Sequence, residues 1–198
     1  MKIFGVINNY DSTGTRTPDR QPDYFLIPDS ALLRSGKPFF IPGGDDLFKA
    51  CPSIVIKIDR LGKGIAPKFA SRYYNEVALG IVIYASRRLQ ELKEQGKPLT
   101  PALAFDYNAP VSDFRSKETL GDNFRFSLSL SGSEEKEWEM KHLISPVDEI
   151  VSQISRYNTL RTGDLIFAGL ADFSIELEMN KKLAMILDGE EIYHSNIK

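Results

Sequence analysis

The chain of 198 residues carries 25 basic and 27 acidic side chains, a formal net charge of -2, with 42% hydrophobic and 26% charged residues. That length suits one well-filled core spanning residues 1–198 as a single domain, and the balance excludes a disordered chain. It also gives no electrostatic reason to expect nucleic acid or an anionic membrane as partner. The single cysteine, Cys51, excludes an intramolecular disulfide and fits a reducing compartment. The apolar patch at the N-terminus is only a few residues long, too short for a signal-peptide core or a membrane span, so the expectation is a cytoplasmic protein.

Residues 2–7 (KIFGVI) read as a first strand, followed by a polar loop over residues 8–21, rich in Thr, Asp, Asn and Gly. Residues 24–28 and 37–42 are short apolar runs bounded by proline, and so short or edge-like strands. The clearest strand is 53–61 (SIVIKIDRL), where β-branched residues alternate with polar ones. Residues 77–84 (VALGIVIY) form a continuous apolar run, the pattern of a buried strand. From 85 to 94 the period becomes helical, with Leu89 and Leu92 on one face and Gly96 and Pro98 as the stop.

Residues 124–130 (FRFSLSL) alternate again and turn at Ser131-Gly132-Ser133 into a return strand over 134–140. Ser145-Pro146 predicts a helix to about Arg156, with Ser145 as N-cap, Pro146 first and Asp148 third. Strands follow at 165–168, 182–187 and 190–194, the last two joined by the turn signal Asp188-Gly189. Many short strands with two or three helices predict a β-rich α+β fold.

Four segments then carry a resemblance. Residues 159–169 (TLRTGDLIFAG), the Asn9-Tyr10 pair after the first strand, residues 25–40 (FLIPDSALLRSGKPFF) and residues 96–112 (GKPLTPALAFDYNAPVS) together resemble the fumarylacetoacetate hydrolase family, over essentially the whole chain. The resemblance implies a mixed β-sheet fold and a homodimer. It implies hydrolysis, decarboxylation or isomerisation of 2-oxo or 1,3-diketo acids, with Mg²⁺ or Mn²⁺ holding the substrate oxygens. A His–Glu pair on an N-terminal lid and a lysine complete the family's machinery.

Hard divalent cations need charged oxygen donors. Aligned on the family, Cys51 and Ser53 stand where two glutamates belong, and Val82 or Ile83 where an aspartate belongs. A neutral thiol, a hydroxyl and an alkyl group are poor partners for Mg²⁺. Thr13 falls at the lid histidine and Arg16 at its glutamate, neither a general base near neutral pH; Leu103 falls at the lysine. Ile27 replaces a further lysine, and Ala168-Gly169-Leu170-Ala171 replaces a threonine-bearing turn. Tyr10, Arg87, Gln90 and Asp106 keep the family's residue types. A rival alignment uses Glu76, Ala78 and Asp106, losing one carboxylate rather than three and deleting the helix region.

The expectation is therefore a degenerate family member, a pseudoenzyme without a metal cofactor. Its vestigial pocket would hold Tyr10, Thr13, Cys51, Ser53, Arg87, Gln90, Leu103 and Asp106, and would bind a small carboxylic acid or serve a partner. The alternative is a divergent hydrolase, isomerase or decarboxylase using relocated carboxylates such as Asp45, Asp46 or Asp106. Plainer readings stand beside these: Cys51 as a small buried residue, His142 and His194 as structural or surface groups, Asp45-Asp46 as a solvated turn, and Arg87 as a loop anchor.

Overall fold

A computed structural model describes residues 1–14, 22–119, 121, 124–132 and 134–198. Its strands are β1 (Ile3–Ile7), β2 (Asp23–Ile27), β3 (Leu32–Arg34), β4 (Phe48–Ile58), β5 (Tyr74–Ala85), β6 (Ala109–Val111), β7 (Arg115–Ser116), β8 (Arg125–Leu130), β9 (Glu134–Glu139), β10 (Leu165–Phe167), β11 (Ile175–Glu176), β12 (Lys182–Leu187) and β13 (Glu190–Asn196). Its α-helices are α1 (Pro67–Ala70), α2 (Ser86–Glu94), α3 (Thr100–Leu103) and α4 (Val147–Tyr157). The larger sheet runs β2-β1-β10-β4-β5-β6-β3, with β11 also on β4 and β7 on β5. It is mixed: β1/β10 and β3/β6 are parallel, the other pairs antiparallel. A second, antiparallel sheet runs β13-β12-β8-β9. The β-rich α+β expectation holds.

Strand alternation sorts the larger sheet into two apolar faces. Ile54, Ile56 and Ile58 of β4 join Leu79, Ile81 and Ile83 of β5 in the main core. That core also takes Leu128 and Leu130 of β8, Leu183 and Met185 of β12, and the α4 residues Val147, Ile150, Val151 and Ile154, one face of the helix. The intervening residues Cys51, Val55, Ala78 and Val82 face the other way and pack with Leu165 and Phe167. Gly80 has to lack a side chain: a Cβ there would lie 2.3 Å from Val55 and 2.6 Å from Phe167.

Two expected details differ. Helix α4 begins at Val147 with Pro146 as its N-cap and no side-chain cap, one residue later than the Ser145 cap implies. The reason is Asn9, whose Oδ1 accepts from the Ser145 N–H at 2.7 Å while its Nδ2 donates to the Ser145 and Ala168 carbonyls. Ser145 is thereby fixed as a link between chain segments, not a cap. Helix α2 is capped from outside: Asp46 accepts from the N–H groups of Arg87 and Arg88 at 3.0 and 3.2 Å, which settles one of the Asp45-Asp46 pair as structural. The run at 37–42 gives no strand, only a bridge from Phe39 to Ile197.

Asp164, in the Gly-Asp-Leu-Ile stretch, ties the two parallel strands together at their start. Its carboxylate accepts from the Lys2 and Arg161 N–H groups and pairs with the Lys2 ammonium at 2.7 Å. Burial works to raise this carboxyl, but the Lys2 and backbone donors outweigh it and hold it below the usual range. Among the described residues, no helix is long and apolar enough to cross a membrane.

Candidate functional site

A gap in hydrogen bonding beside β4 creates the cavity. β10 pairs with β4 only at residues 55–57, and β11 only at 49 and 50. Between them residues 168–174 leave the sheet, tethered by bonds from the Ala168 and Ala171 N–H groups to the Ile54 and Pro52 carbonyls. Pro52 can sit inside a central strand because its missing N–H faces this interruption. The excursion walls a cavity of about 240 Å³.

From the sheet, Cys51 and its cross-strand partner Val82 form the floor, with Tyr84 two residues on. Ile7, Asn8 and Tyr10 enter where β1 ends, and Leu103 where α3 ends. Leu89 and Lys93, four apart on one face of α2, come from another side. Leu170, Ala171, Asp172, Phe173 and Ser174 close it. The wall is mostly apolar, with Lys93 and Asp172 as its exposed charges.

Tyr10 is buried in a joint between elements. Its hydroxyl accepts from the Glu139 N–H at 2.9 Å, and its ring stacks on Trp138 with centroids 5.4 Å apart. Burial pushes the Tyr10 phenol up to about 12, despite the opposing bond from Glu139. The Cys51 thiol donates to the Ala171 carbonyl at 3.1 Å, and burial raises it from 9.0 to about 12. The Tyr84 phenol is raised by burial too, and shares a 3.1 Å hydrogen bond with Ser174. A thiol and phenols of this kind stay protonated at neutral pH and offer no ready nucleophile or base.

An expected result follows for Cys51. With burial holding the thiol at about 12, iodoacetamide at pH 8 should label the native protein about 10³-fold more slowly than the unfolded chain. Timed mass spectrometry checks it. Equal rates would mean that Cys51 is neither shielded nor neutral. By the same shift, stability is retained below about pH 9 and falls as pH rises from there towards about 12, where the unfolded chain gives up protons that the native chain keeps.

Of the residues singled out from sequence, Tyr10, Cys51 and Leu103 line this cavity, and so do Val82, Leu170 and Ala171. The others do not. Ser53 is fully buried behind it, donating to the Ile54 carbonyl and accepting from the Gly169 N–H. Thr13 bonds back to Asp11 at 2.6 Å. Arg87 holds the Asp45 carbonyl, Gln90 bonds Glu94, and Asp106 accepts from the Ser30 hydroxyl at 2.6 Å. Arg16 lies outside the described residues. Of the rival alignment's residues, Glu76 pairs with Lys57 at 2.7 Å and stands six residues along β5 from Val82, about 20 Å at strand rise, away from this cavity. Lys93, Asp172, Tyr84 and Ser174 were not anticipated as lining residues. Only Lys93 had a signal, its four-residue spacing from Leu89.

The sequence model of the fumarylacetoacetate (FAA) hydrolase C-terminal family matches residues 2–194. The chain belongs to the fumarylacetoacetate hydrolase family. Among curated relatives it is similar to the mouse oxaloacetate tautomerase FAHD1, mitochondrial, with 28% identity over 85% of this chain and 77% of that protein. It is also similar to the Escherichia coli oxaloacetate tautomerase YcgM, with 23% identity over 96% of this chain and 90% of that protein. Its fold is that of the Pseudomonas aeruginosa fumarylpyruvate hydrolase solved with Mn²⁺ and pyruvate: TM-score 0.88 at 23% identity, covering 100% of this chain and 89% of that one.

Mn²⁺ or Mg²⁺ is thus a group the family implies, and the residues present here can be tested against it. The cavity offers one carboxylate, Asp172, already accepting from the Ser12 N–H and hydroxyl at 2.9 and 3.0 Å. Among the described residues no three His, Cys, Asp or Glu side chains stand close enough to hold a metal ion. A hard cation replaces its water shell with several charged oxygens, and a protonated thiol opposite a valine supplies none. The donor set does not fit.

Proposed function

We propose that this family member has given up metal-dependent catalysis and keeps the cavity as a binding pocket for a small acid, in a cytoplasmic homodimer. The observation that carries the reading is the floor of the cavity. Cys51 and Val82, which fall in the ligand slots of the family alignment, face each other across β4 and β5, with Leu103 on the same wall. Three positions that would carry charge and proton transfer in a metal site carry a neutral thiol and two alkyl groups. An apolar, protonated wall stabilises the fold, whereas a working metal site holds repelling carboxylates together at a cost in the empty state.

Calorimetric titration with Mn²⁺ tests this. The expected result is a shallow, unsaturating isotherm like that of any acidic surface. One tight ion per chain would overturn the reading and favour the second one, a divergent enzyme of 2-oxo acids in which Asp172 serves as a relocated carboxylate. That alternative is supported by Asp172 at the cavity and by the oxaloacetate tautomerases among the relatives.

For the homodimer, support comes from the family likeness and from the apolar side chains Leu26, Phe40, Leu61 and Met179 left exposed on the single chain. Light scattering at micromolar concentration should give twice the chain mass of 22.3 kDa. A monomer there would contradict it.

A further inference from the structure

The small-acid reading leaves open what kind of acid, and the lining residues answer it. Ile7, Val82, Leu89, Leu103, Leu170 and Phe173 give the cavity an apolar body, and its two charges, Lys93 and Asp172, are both exposed. Those charges differ in what they have left to offer. The Asp172 carboxylate is engaged by the Ser12 N–H and hydroxyl, while the Lys93 ammonium has no hydrogen-bond or ion-pair partner among the described residues. This cavity offers at its edge one cation unpartnered among the described residues, and a mostly apolar wall.

We propose that the cavity takes a monocarboxylic acid with an apolar body, its carboxylate on Lys93 and its body against Val82, Leu103 and Leu170, and that it does so without a metal ion. The inference rests on the reading that metal chemistry is absent here. Its volume of about 240 Å³ sets the scale, since sites for drug-sized ligands run about 300–1,000 Å³. The occupant is therefore of the size of a single ring or a short alkyl chain. Charge selects as well as size. An ammonium ligand would meet a carboxylate that Ser12 already holds through Oδ2, whereas a carboxylate meets a lysine with no prior partner among the described residues. A short, charge-assisted bond at the edge of an apolar wall is stronger than the same pair in open water. Lys93 sits on α2, whose start is fixed by Asp46, so the cation is presented from a rigid element.

The test uses benzoate and hexanoate as probes on the full chain in EDTA, by calorimetry and thermal shift. Benzamide is the neutral isostere and benzylamine the cationic one. Benzoate should bind saturably with one site per chain, and benzamide at least about tenfold more weakly. Lys93→Met, which keeps the stem of an exposed residue, should weaken benzoate by about tenfold while leaving benzamide unchanged. Lys93→Arg should recover most of the loss. Benzylamine binding in place of benzoate overturns the proposal, as does benzoate binding that ignores Lys93→Met. The two layers fail separately. If no monoacid binds in EDTA and Mn²⁺ finds no site either, the ligand inference falls and the metal-free reading stands. If oxaloacetate binds only once Mn²⁺ is added, and benzoate never does, both fall.

Discussion

Trp138→Ala is expected to destabilise the protein by about 3–5 kcal/mol, the usual range for deleting a buried Trp, and to lower Tm by roughly 10 °C in a chain of this size. Trp138 is fully buried on β9 and joins elements that are distant in sequence. Its ring stacks on Tyr10 and lies 5.5 Å from Phe126, and its indole N–H donates to the Gly169 carbonyl at 3.1 Å. Truncation opens a void between the second sheet and the segment that walls the cavity beside β4, and also leaves the Gly169 carbonyl without its donor. Space beside Gly169 is already filled, because a Cβ there would come within 2.3 Å of Leu143. Thermal unfolding followed by circular dichroism measures the loss. A change under about 1 kcal/mol would mean that the pocket wall does not depend on this contact.

Much of the fold was legible because the strands here obey simple patterning. Residues 53–58 of the run at 53–61 lie in β4, which stops three residues short of Leu61, the run at 77–84 lies within β5, and residues 182–187 are β12 with its stated bounds. Asp188 and Gly189 both take positive φ, as a tight hairpin between twisted strands requires. Strand ends were less legible. β4 begins at Phe48, five residues before its β-branched stretch, because pairing with β5 carries Ala50, Cys51 and Pro52 into the sheet. Tertiary bonds decide such ends, and no local pattern records them. The Ser145 cap failed for the same reason: Asn9, over a hundred residues away, took the serine's backbone.

The candidate site was half legible. Cys51, Val82, Leu103 and Tyr10 were placed by likeness to a family motif, and they do meet at one cavity. Arg87 and Gln90 were placed by the same likeness and face solvent. A helix shows only one side to its neighbours, and on α2 that side belongs to Leu89 and Lys93, not to the residues matching the motif. Asp172 and Ser174 became visible only once the excursion between β10 and β11 was known. A stretch such as Ala171-Asp172-Phe173-Ser174 has no periodicity that would mark it as a wall.

The second large effect concerns rate. General acid–base catalysis is worth about 10²–10⁴-fold, and a Lewis-acid metal several kcal/mol more, each 1.36 kcal/mol being another tenfold. With a single carboxylate, Asp172, and no histidine among the described residues that line the cavity, the proposed loss should remove both contributions together. Restoring one carboxylate would not recover them, because residues that act as a unit are not additive. The decisive measurement is the conversion of oxaloacetate, enol to keto and on to decarboxylation, followed by absorbance with the purified chain at millimolar Mn²⁺ and again in EDTA. The account predicts the rate of buffer and metal alone in both. Saturable, metal-dependent turnover above that background, lost in Asp172→Ala, would contradict it and make this chain a working enzyme with a relocated carboxylate.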